Sequence, residues 1–530
     1  MRKNKMETTK STFLLIFLSL SLCVNTFAQK LKLAEIFNEG AVLQRNAKVS
    51  VWGTSAPLAK VSVSIQGKTT DTLTDKNGNW DVSMPALNVG GPYKMTVISA
   101  KETIIINEIY VGEVWIAGGQ SNMAFMLENS DNGKDEILKA SNKNIRFVMV
   151  PYKAFEGDKD RGDMNWRTAT TENIPKISAV AYYFAKDLQT KLNVPIGIIC
   201  CYKGGSGAQS WTSRESLLSK PELAPYVENY DKHISKLGKE EYLAMIDKYE
   251  VELKRYNDST KVVSPGAKKP SEPMGERNYN RPAGLYENML KRIIPYTVQG
   301  TIWYQGEHNS SRAKLYQSLF PVMIEQWRKD FNNPAMPFLF VQLPSYQKAD
   351  TGNRPIWPEL REAQLLTWQK MENTGMAVTI DLGEKDNIHP TNKEPVGNRL
   401  SAIAFNKVFG IDVPYSGPIY KNVEFKTNKA ILSFGFTYDG LKSDGELKGF
   451  AICGADKIFV PAKAEIQGNQ IIVWSENVSS PIAVRYGWEN WTEANLKNKA
   501  GFMASPFRTD DFKLLTAAVK APSYKIPASR

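Results

Sequence analysis

The chain has 530 residues, of which 42% are hydrophobic and 23% charged, so it has the composition of a soluble globular protein with two or three domains. Its formal net charge is +12, but the lysines are scattered and do not form blocks with interleaved aromatic residues, which argues against a nucleic-acid partner. There are three histidines and no His/Cys spacing typical of a metal site, so the sequence indicates neither a metal nor another cofactor.

Residues 1–28 have the pattern of a secretory signal peptide. Basic residues up to Lys10 precede the apolar run 13–24, and Thr26-Phe27-Ala28 offers a small-x-small cleavage site. The run is too short for a comfortable membrane span and no later run is long enough, so we expect no stable membrane insertion. Cys23 raises a lipoprotein alternative, which the large residue in front of it disfavours. The sequence therefore predicts a periplasmic or secreted protein, cleaved near Ala28.

Residues 29–106 contain short alternating apolar runs separated by turn residues, which predicts a small all-β module. Gly90-Gly91-Pro92 and Asp75-Lys76-Asn77-Gly78 suit the turns between its strands. Because no titratable cluster falls in this module, we interpret it as a structural flank without chemistry of its own.

Residues 107–410 alternate apolar strand-like runs with helix-length segments, which predicts an α/β domain with a parallel sheet covered by helices on both faces. Ligands bind to such sheets at the carboxyl ends of the strands. A charged segment at 222–277 interrupts the pattern and is predicted to be a helical insertion. The predicted strands are 111–117, 145–150, 194–201, 299–304, 338–343 and 376–381.

Residues 411–530 return to short apolar runs, at 430–434, 450–453, 471–474 and 482–486, and glycines and polar residues separate them. This pattern again predicts strands joined by turns. We therefore expect a second all-β module at the end of the chain.

Ser121 is the candidate nucleophile. It lies in Gly118-Gly119-Gln120-Ser121-Asn122-Met123, directly after the apolar run 114–117. A strand that ends in two glycines and a hydroxyl can present a serine oxygen on a sharp turn at the edge of a sheet. On its own the pattern is also that of an ordinary turn or helix N-cap, so the assignment depends on partners elsewhere in the sequence.

Asp386-Asn387-Ile388-His389-Pro390 supplies such partners, in a loop after the predicted strand 376–381. Acyl transfer by serine needs a base within reach of the hydroxyl and a carboxylate that orients the imidazole. It also needs donors for the oxyanion. Lys203-Gly204-Gly205-Ser206-Gly207 can bring backbone N–H groups close to a ligand, and the segment 303–309 offers side-chain amides.

These residues resemble the sialate O-acetylesterase family of the SGNH-hydrolase superfamily, with related plant and bacterial carbohydrate acetylesterases. The resemblance covers almost the whole chain after residue 28, and it implies an SGNH-type three-layer parallel sheet flanked by helices, with sandwich-like all-β modules before and after it. The matching motifs are Val42-Leu43-Gln44-Arg45, Gly90-Gly91-Pro92-Tyr93, Val111-Gly112-Glu113-Val114-Trp115, Gly119-Gln120-Ser121-Asn122-Met123, Val194-Pro195-Ile196-Gly197, Trp303-Tyr304-Gln305-Gly306-Glu307, Arg361-Glu362-Ala363-Gln364 and Ala504-Ser505-Pro506-Phe507-Arg508-Thr509-Asp510.

Carried over position by position, the resemblance implies that Ser121 is the nucleophile, His389 the base and Asp386 its partner. The backbone N–H groups of Ser121 and Gly205 would form the oxyanion hole, with Gln305 where other SGNH enzymes have asparagine. The chain departs from the family pattern around this site. Lys203 and Ser206 replace the usual tryptophan and threonine, and His308 replaces a residue that is commonly small. These departures bear on the substrate more than on the chemistry.

The resemblance implies a serine esterase that removes O-acetyl groups from carbohydrates, with O-acetylated sialic acid as the first substrate and acetylated xylan or other hemicellulose as the alternative. A non-catalytic glycan-binding protein is a second hypothesis, but it would not need a serine, histidine, aspartate and oxyanion donors together. Candidate substrate-binding residues are Gln120, Asn122, Trp211, Glu307, His308 and Asn309.

Overall fold

The computed structural model describes residues 29–260, 269–349 and 354–524. The predicted signal peptide, residues 1–28, lies outside the described residues. Within the described ranges, no helix is both long and apolar enough to cross a membrane.

The first β unit is formed by short strands whose side chains alternate between the core and solvent. In the strand Asn79–Met84, for example, Trp80, Val82 and Met84 are buried and the residues between them are exposed. The strands are β1 (Lys32–Leu33), β2 (Val42–Gln44), β3 (Val49–Thr54), β4 (Lys60–Ile65), β5 (Lys68–Leu73), β6 (Asn79–Met84), β7 (Gly90–Ser99) and β8 (Glu102–Gly119). β1, β3 and β6 form one sheet, whereas β4, β5 and β7 continue through β8 into the central sheet.

β8 joins the first β unit to the central domain. Its first half pairs antiparallel with β7, and its second half pairs in parallel with two strands of the central sheet. From Val111 onward every residue of β8 is buried, because here the sheet is covered on both faces. The predicted domain boundary between residues 106 and 107 therefore falls inside a continuous strand, and the two units share it.

The central sheet has the predicted α/β organisation. The strands β9, β11, β8, β12, β13 and β14 lie side by side in this order and are parallel, and β10 is antiparallel to β9 at one edge. The strands not yet given are β9 (Ser141–Met149), β10 (Arg167–Thr170), β11 (Ile196–Tyr202), β12 (Gly300–Tyr304), β13 (Phe338–Val341) and β14 (Thr374–Ala377).

Helices cover both faces of this sheet. The α-helices between β8 and the second β unit are α1 (Gly133–Lys139), α2 (Ala179–Leu192), α3 (Arg214–Leu218), α4 (Ala224–Ile234), α5 (Lys239–Thr260), α6 (Gly284–Asn288), α7 (Ala313–Asp330), α8 (Ile356–Lys370) and α9 (Glu394–Lys407). On β8, Trp115 packs edge-on against Phe184 of α2, whereas a side chain at Gly118 would point at Trp327 of α7. Residues three apart on a strand face opposite sides, so α2 and α7 lie on opposite faces. α4 and α5 lie in the predicted insertion.

The second β unit contains two four-stranded antiparallel sheets, in the orders β15-β16-β21-β20 and β19-β18-β22-β24, and the pair β17-β23. Its strands are β15 (Ile419–Lys426), β16 (Lys429–Gly435), β17 (Leu441–Lys442), β18 (Phe450–Cys453), β19 (Val460–Pro461), β20 (Lys463–Gln467), β21 (Gln470–Trp474), β22 (Ala483–Tyr486), β23 (Lys497–Asn498) and β24 (Phe507–Arg508).

Arg361 of α8 connects this second unit to the central domain. Its side chain is fully buried and donates to the carbonyls of Leu343 and Pro344 on one side and of Glu489 and Asn490 on the other, at 2.9–3.1 Å. Burial without a carboxylate partner lowers the pKa of the guanidinium to about 9. The guanidinium thus ties the loop after β13 to the second β unit.

Candidate active site

The end of β8 places Ser121 at the carboxyl edge of the sheet. Gly119, the last residue of β8, pairs with Tyr304 of β12 on one side and with Tyr202 of β11 on the other. The N–H of Gln120 donates to the carbonyl of Tyr304 at 2.9 Å, and the N–H of Lys203 donates to the carbonyl of Gly119 at 3.1 Å. The serine turn is therefore held between the ends of two neighbouring strands.

Only glycine fits at position 119. Its φ is +131°, and a Cβ there would lie 2.2 Å from the carbonyl oxygen of Tyr304. The glycine lets β8 and β12 approach closely where the chain turns outward to Ser121. This is the sharp strand end that the sequence predicted.

His389 lies in the loop between β14 and α9, and its ring Nε2 is 2.8 Å from the Oγ of Ser121. Asn387 holds this loop, because its side chain accepts from the N–H of His389 at 3.0 Å and donates to the carbonyl of His389 at 2.9 Å. Burial and the positive charge of Lys393 lower the pKa of the imidazole. At neutral pH the ring is therefore uncharged and able to accept the hydroxyl proton.

Asp386 does not contact His389 in this structure. Its carboxylate is 3.0 Å from the Nζ of Lys348 and its side chain is 70% exposed. Among the described residues, the polar side-chain partner of the imidazole is Ser121. The position differs from the sequence-based expectation because the Asp386 side chain turns outward to the turn Gln347–Ala349. Its role as the orienting acid stays a prediction.

Two backbone donors near the serine are free. The N–H groups of Ser121 and Gly205 have no acceptor among the residues that the structure describes. Gly205 has a φ of +73°, and a Cβ on the adjacent Gly204 would be 3.6 Å from the Cβ of Ser121, so this loop lies directly beside the nucleophile. Both groups can donate to an oxyanion on a carbon bonded to Ser121.

Gln305 differs from its expected role. Its side chain is fully buried, and its amide nitrogen donates to the side chain of Asn309 at 2.7 Å and to the carbonyl of Ser206 at 3.3 Å. Its oxygen accepts from the hydroxyl of Tyr316 at 3.0 Å. Both amide hydrogens are used, so Gln305 fixes the neighbouring loops and has no donor left for an oxyanion.

Most of the residues predicted to bind substrate are buried and form internal hydrogen bonds instead. The side chains that are at most 8% exposed are Gln120, Asn122, Trp211, Glu307 and Asn309. Gln120 accepts from the N–H of His308 at 3.2 Å, and Trp211 donates to the hydroxyl of Ser206 at 2.9 Å. In this structure these five side chains are buried and support the loops of the site through internal hydrogen bonds and packing. His308 alone among the six candidates is exposed.

His308 opens onto a cavity of about 1050 Å³ whose lining also includes Lys203 and Gly204. Partial desolvation in this cavity and the charge of Arg312 lower the pKa of His308, so the ring is neutral at physiological pH. The ammonium of Lys203 lies 3.9 Å from the ring centre of Tyr152, within cation–π distance. The cavity begins beside Ser121 and extends under the helical insertion, which supplies part of its wall.

Sequence reasoning missed Lys393, a buried lysine directly behind the site. Its Nζ donates to the Oδ1 of Asn122 at 2.6 Å. In the sequence, its position four residues after His389 could have indicated that it lies near the site. It also missed the contribution of the insertion, where Ile246, Tyr249 and Glu272 line the cavity.

Comparison with known proteins supports an esterase. Residues 272–405 match the family model described as carbohydrate esterase, sialic acid-specific acetylesterase. The sialate O-acetylesterase of Mus musculus is 27% identical over 507 residues, covering 87% of this chain and 90% of that protein. The human sialate O-acetylesterase is 26% identical over 503 residues, covering 87% and 88%. The crystal structure of a carbohydrate acetylesterase from Xanthomonas citri is 34% identical, with a TM-score of 0.76, and covers 91% of this chain and 100% of that one.

Proposed function

Because the chain belongs to the sialate O-acetylesterase family of carbohydrate acetylesterases, and is therefore a carboxylic ester hydrolase, we propose that it removes O-acetyl groups from sialic acid through an acetyl-enzyme on Ser121. The observation that carries the serine mechanism is the 2.8 Å contact between the Oγ of Ser121 and the Nε2 of a neutral His389. This pairing is the arrangement that activates a serine hydroxyl.

The reaction proceeds in two halves. Ser121 Oγ attacks the acetyl carbonyl while His389 takes its proton, and the oxyanion is stabilised by the N–H groups of Ser121 and Gly205. The C–O bond to the sugar breaks, and His389 returns the proton to the sugar oxygen. Water then attacks the acetyl-enzyme with the same proton transfers, which releases acetate and restores the serine.

The cavity beside Ser121 favours an acidic sugar. Its positive side chains are Arg161, Lys203, Lys269, Arg277 and Arg312, and its carboxylates are Asp158, Glu250 and Glu272. Sialic acid carries a carboxylate, whereas xylose units are neutral. Lys203 adjoins the oxyanion loop, and Glu272 of the same cavity interacts with it electrostatically, without a hydrogen bond or ion pair between these two described side chains. Lys203 can pair with the carboxylate of a bound sugar acid.

The aromatic wall of the cavity supports sugar binding in general. Tyr152 and Tyr279 lie 6.2 Å apart, edge to face, with the ammonium of Lys203 over both rings at 3.9 Å and 5.1 Å. Aromatic side chains present the apolar surface against which the C–H face of a sugar ring packs. These aromatic rings would also bind a neutral sugar. The positive charge of the cavity is therefore the feature that favours sialic acid over xylan.

The test is acetate release from 9-O-acetylated sialic acid and from acetylated xylan, measured with the wild type and Lys203→Met. We expect release from the sialic acid, and a KM about tenfold higher in Lys203→Met because a charge-assisted contact is lost. Lys407→Met, at an exposed position at the end of α9, is the matched control and should keep the wild-type KM.

Release from xylan alone would contradict the proposed substrate and assign the enzyme to plant cell-wall glycans. An unchanged KM for sialic acid in Lys203→Met would contradict the role of the charged cavity. The predicted signal peptide at residues 1–28 supports the proposal that the enzyme acts outside the cytoplasm, in the periplasm or the medium.

A further inference from the structure

A buried polar network lies directly behind Ser121 and His389. It consists of Asn122, Glu307 and Lys393, whose side chains are 0%, 8% and 1% exposed. Lys393 Nζ donates to Asn122 Oδ1 at 2.6 Å, and Asn122 Nδ2 donates to Glu307 Oε1 at 2.6 Å. Three residues far apart in the sequence are thus joined by two short hydrogen bonds within one site.

Asn122 also links the two reactive residues. Its Nδ2 donates a second hydrogen bond, at 3.0 Å, to the carbonyl of Ile388. Asn122 follows Ser121 in the chain, and Ile388 precedes His389. One side-chain amide therefore spans the serine turn and the histidine loop, next to the Oγ–Nε2 contact itself.

The network carries opposite charges that do not touch. Lys393 and Glu307 have no direct ion pair, because Asn122 stands between them. The Oε2 of Glu307 is buried and has no partner among the described residues. Burial raises the pKa of Glu307 and lowers that of Lys393 to about 7, with the two groups partly stabilising each other. Burying such groups lowers the stability of the fold, and well-packed apolar side chains in their place would give a more stable protein.

The rings of Phe125 and Tyr304 hold the lysine in place. Its ammonium lies 4.9 Å and 5.4 Å from their centres. None of the three network side chains reaches the cavity that begins at His308. They can act on the reaction only through the residues they hold.

We propose that Asn122, Lys393 and Glu307 form a positioning unit, in which Asn122 locks the His389 loop against the Ser121 turn and the flanking charges set the electrostatic potential at the imidazole. This inference rests on the proposed serine mechanism. It adds three positioning residues that do not contact the substrate.

The charged side chains near His389 come from its own loop, from the facing turn and from the network. They are Glu384, Lys385 and Asp386 of the loop itself, Lys348, which pairs with Asp386, and Glu307 and Lys393 of the network. Of these, Lys393 is the one whose charge lowers the pKa of the imidazole. Its removal should therefore raise that pKa, so that the acid limb of the pH–rate profile moves to higher pH.

The experiment measures kcat, KM and the pH dependence of kcat/KM for acetate release by Lys393→Met, Asn122→Ala and Lys407→Met. In Lys393→Met the acid limb should move to higher pH, because the positive charge that lowers the pKa of His389 is removed. In Asn122→Ala kcat should fall about 100-fold with KM unchanged, since a displacement of about 1 Å has that effect. Lys407→Met should match the wild type.

A structural role alone would lower the amount of active enzyme without moving the acid limb. Labelling with a fluorophosphonate counts the competent sites, so the rates refer to folded protein. Asn122→Asp is a second variant, because it keeps the acceptor for Lys393 while losing both amide donors, and its kcat should also fall.

A wild-type acid limb in Lys393→Met, or a wild-type kcat in Asn122→Asp, would overturn the inference. Ser121→Ala is measured beside them. If Ser121→Ala is inactive while the network variants match the wild type, the positioning unit alone is wrong. If Ser121→Ala turns over normally, the proposed serine mechanism is wrong.

Discussion

Gly119→Ala should disable the enzyme although it adds a single methyl group. The new Cβ would lie 2.2 Å from the carbonyl oxygen of Tyr304, whereas ordinary contacts begin at 3.4 Å, so β8 and β12 must separate by about 1 Å. The hydrogen bond from Gln120 to the same carbonyl would stretch, and Ser121 would move relative to His389. We expect a loss of about 100-fold in kcat and about 1–3 kcal/mol of stability from the backbone conformation at a φ of +131°.

Gly501→Ala is the matched control for this change. Gly501 is also in a left-handed conformation, with a φ of +92°, but a Cβ there meets nothing within 4 Å and the residue lies in the second β unit. It should cost a similar backbone strain while leaving kcat at the wild-type value. The assay is acetate release with purified variants whose melting is measured in parallel. Equal kcat values for the two variants would refute the argument that the strand-end glycine positions Ser121.

Three further predictions concern pH, substrate contact and stability. His389 is active when neutral and its pKa is lowered, so kcat/KM should stay high below about pH 6.5, the pKa of a free imidazole. It should fall only as the pH drops through the lowered pKa, and a midpoint above about 6.5 would contradict this. His308 faces the cavity and is not paired with Ser121, so His308→Ala should raise KM without moving the main acid limb. A shifted limb would instead make it an essential base. Of the four carbonyls that Arg361 binds, those of Pro344 and Asn490 keep other donors, so Arg361→Met leaves the carbonyls of Leu343 and Glu489 without one and should cost about 2–4 kcal/mol in calorimetry. The exposed Arg255→Met should melt like the wild type, and equal melting of both variants would refute the role of Arg361.

The sequence predicts the α/β fold well because the pattern is local. Runs such as 194–201 and 299–304 correspond to β11 and β12, and the glycine pair after β8 marks the strand end. The predicted domain boundary at 106 lies within β8, which is continuous there. β8 changes from mostly exposed residues to continuously buried ones without a break in the chain, so no turn residue marks the boundary.

The site was predictable where the neighbouring residues in the sequence indicate the chemistry. Ser121 and His389 have sequence neighbourhoods that indicate their chemistry, and the structure brings them to 2.8 Å. The amide of Gln305 could not be judged in this way, because its hydrogen bonds go to Ser206, Asn309 and Tyr316, which only the fold brings together.

The buried network illustrates the same limit. Asn122, Glu307 and Lys393 look like polar substrate contacts or surface groups in the sequence, and their burial is set by the packing of three separate strand ends. The insertion also escaped functional interpretation, since its part in the cavity wall depends on its lying beside Lys203 and Gly204, which only the fold brings near it.

The most direct test of the account is acetate release from 9-O-acetylated sialic acid by the wild type and Ser121→Ala, measured side by side with folding checked for both. The serine mechanism predicts that kcat falls by about four to six orders of magnitude in Ser121→Ala, because the nucleophile and its base act as a unit. Near-normal turnover by a folded Ser121→Ala variant would contradict the account.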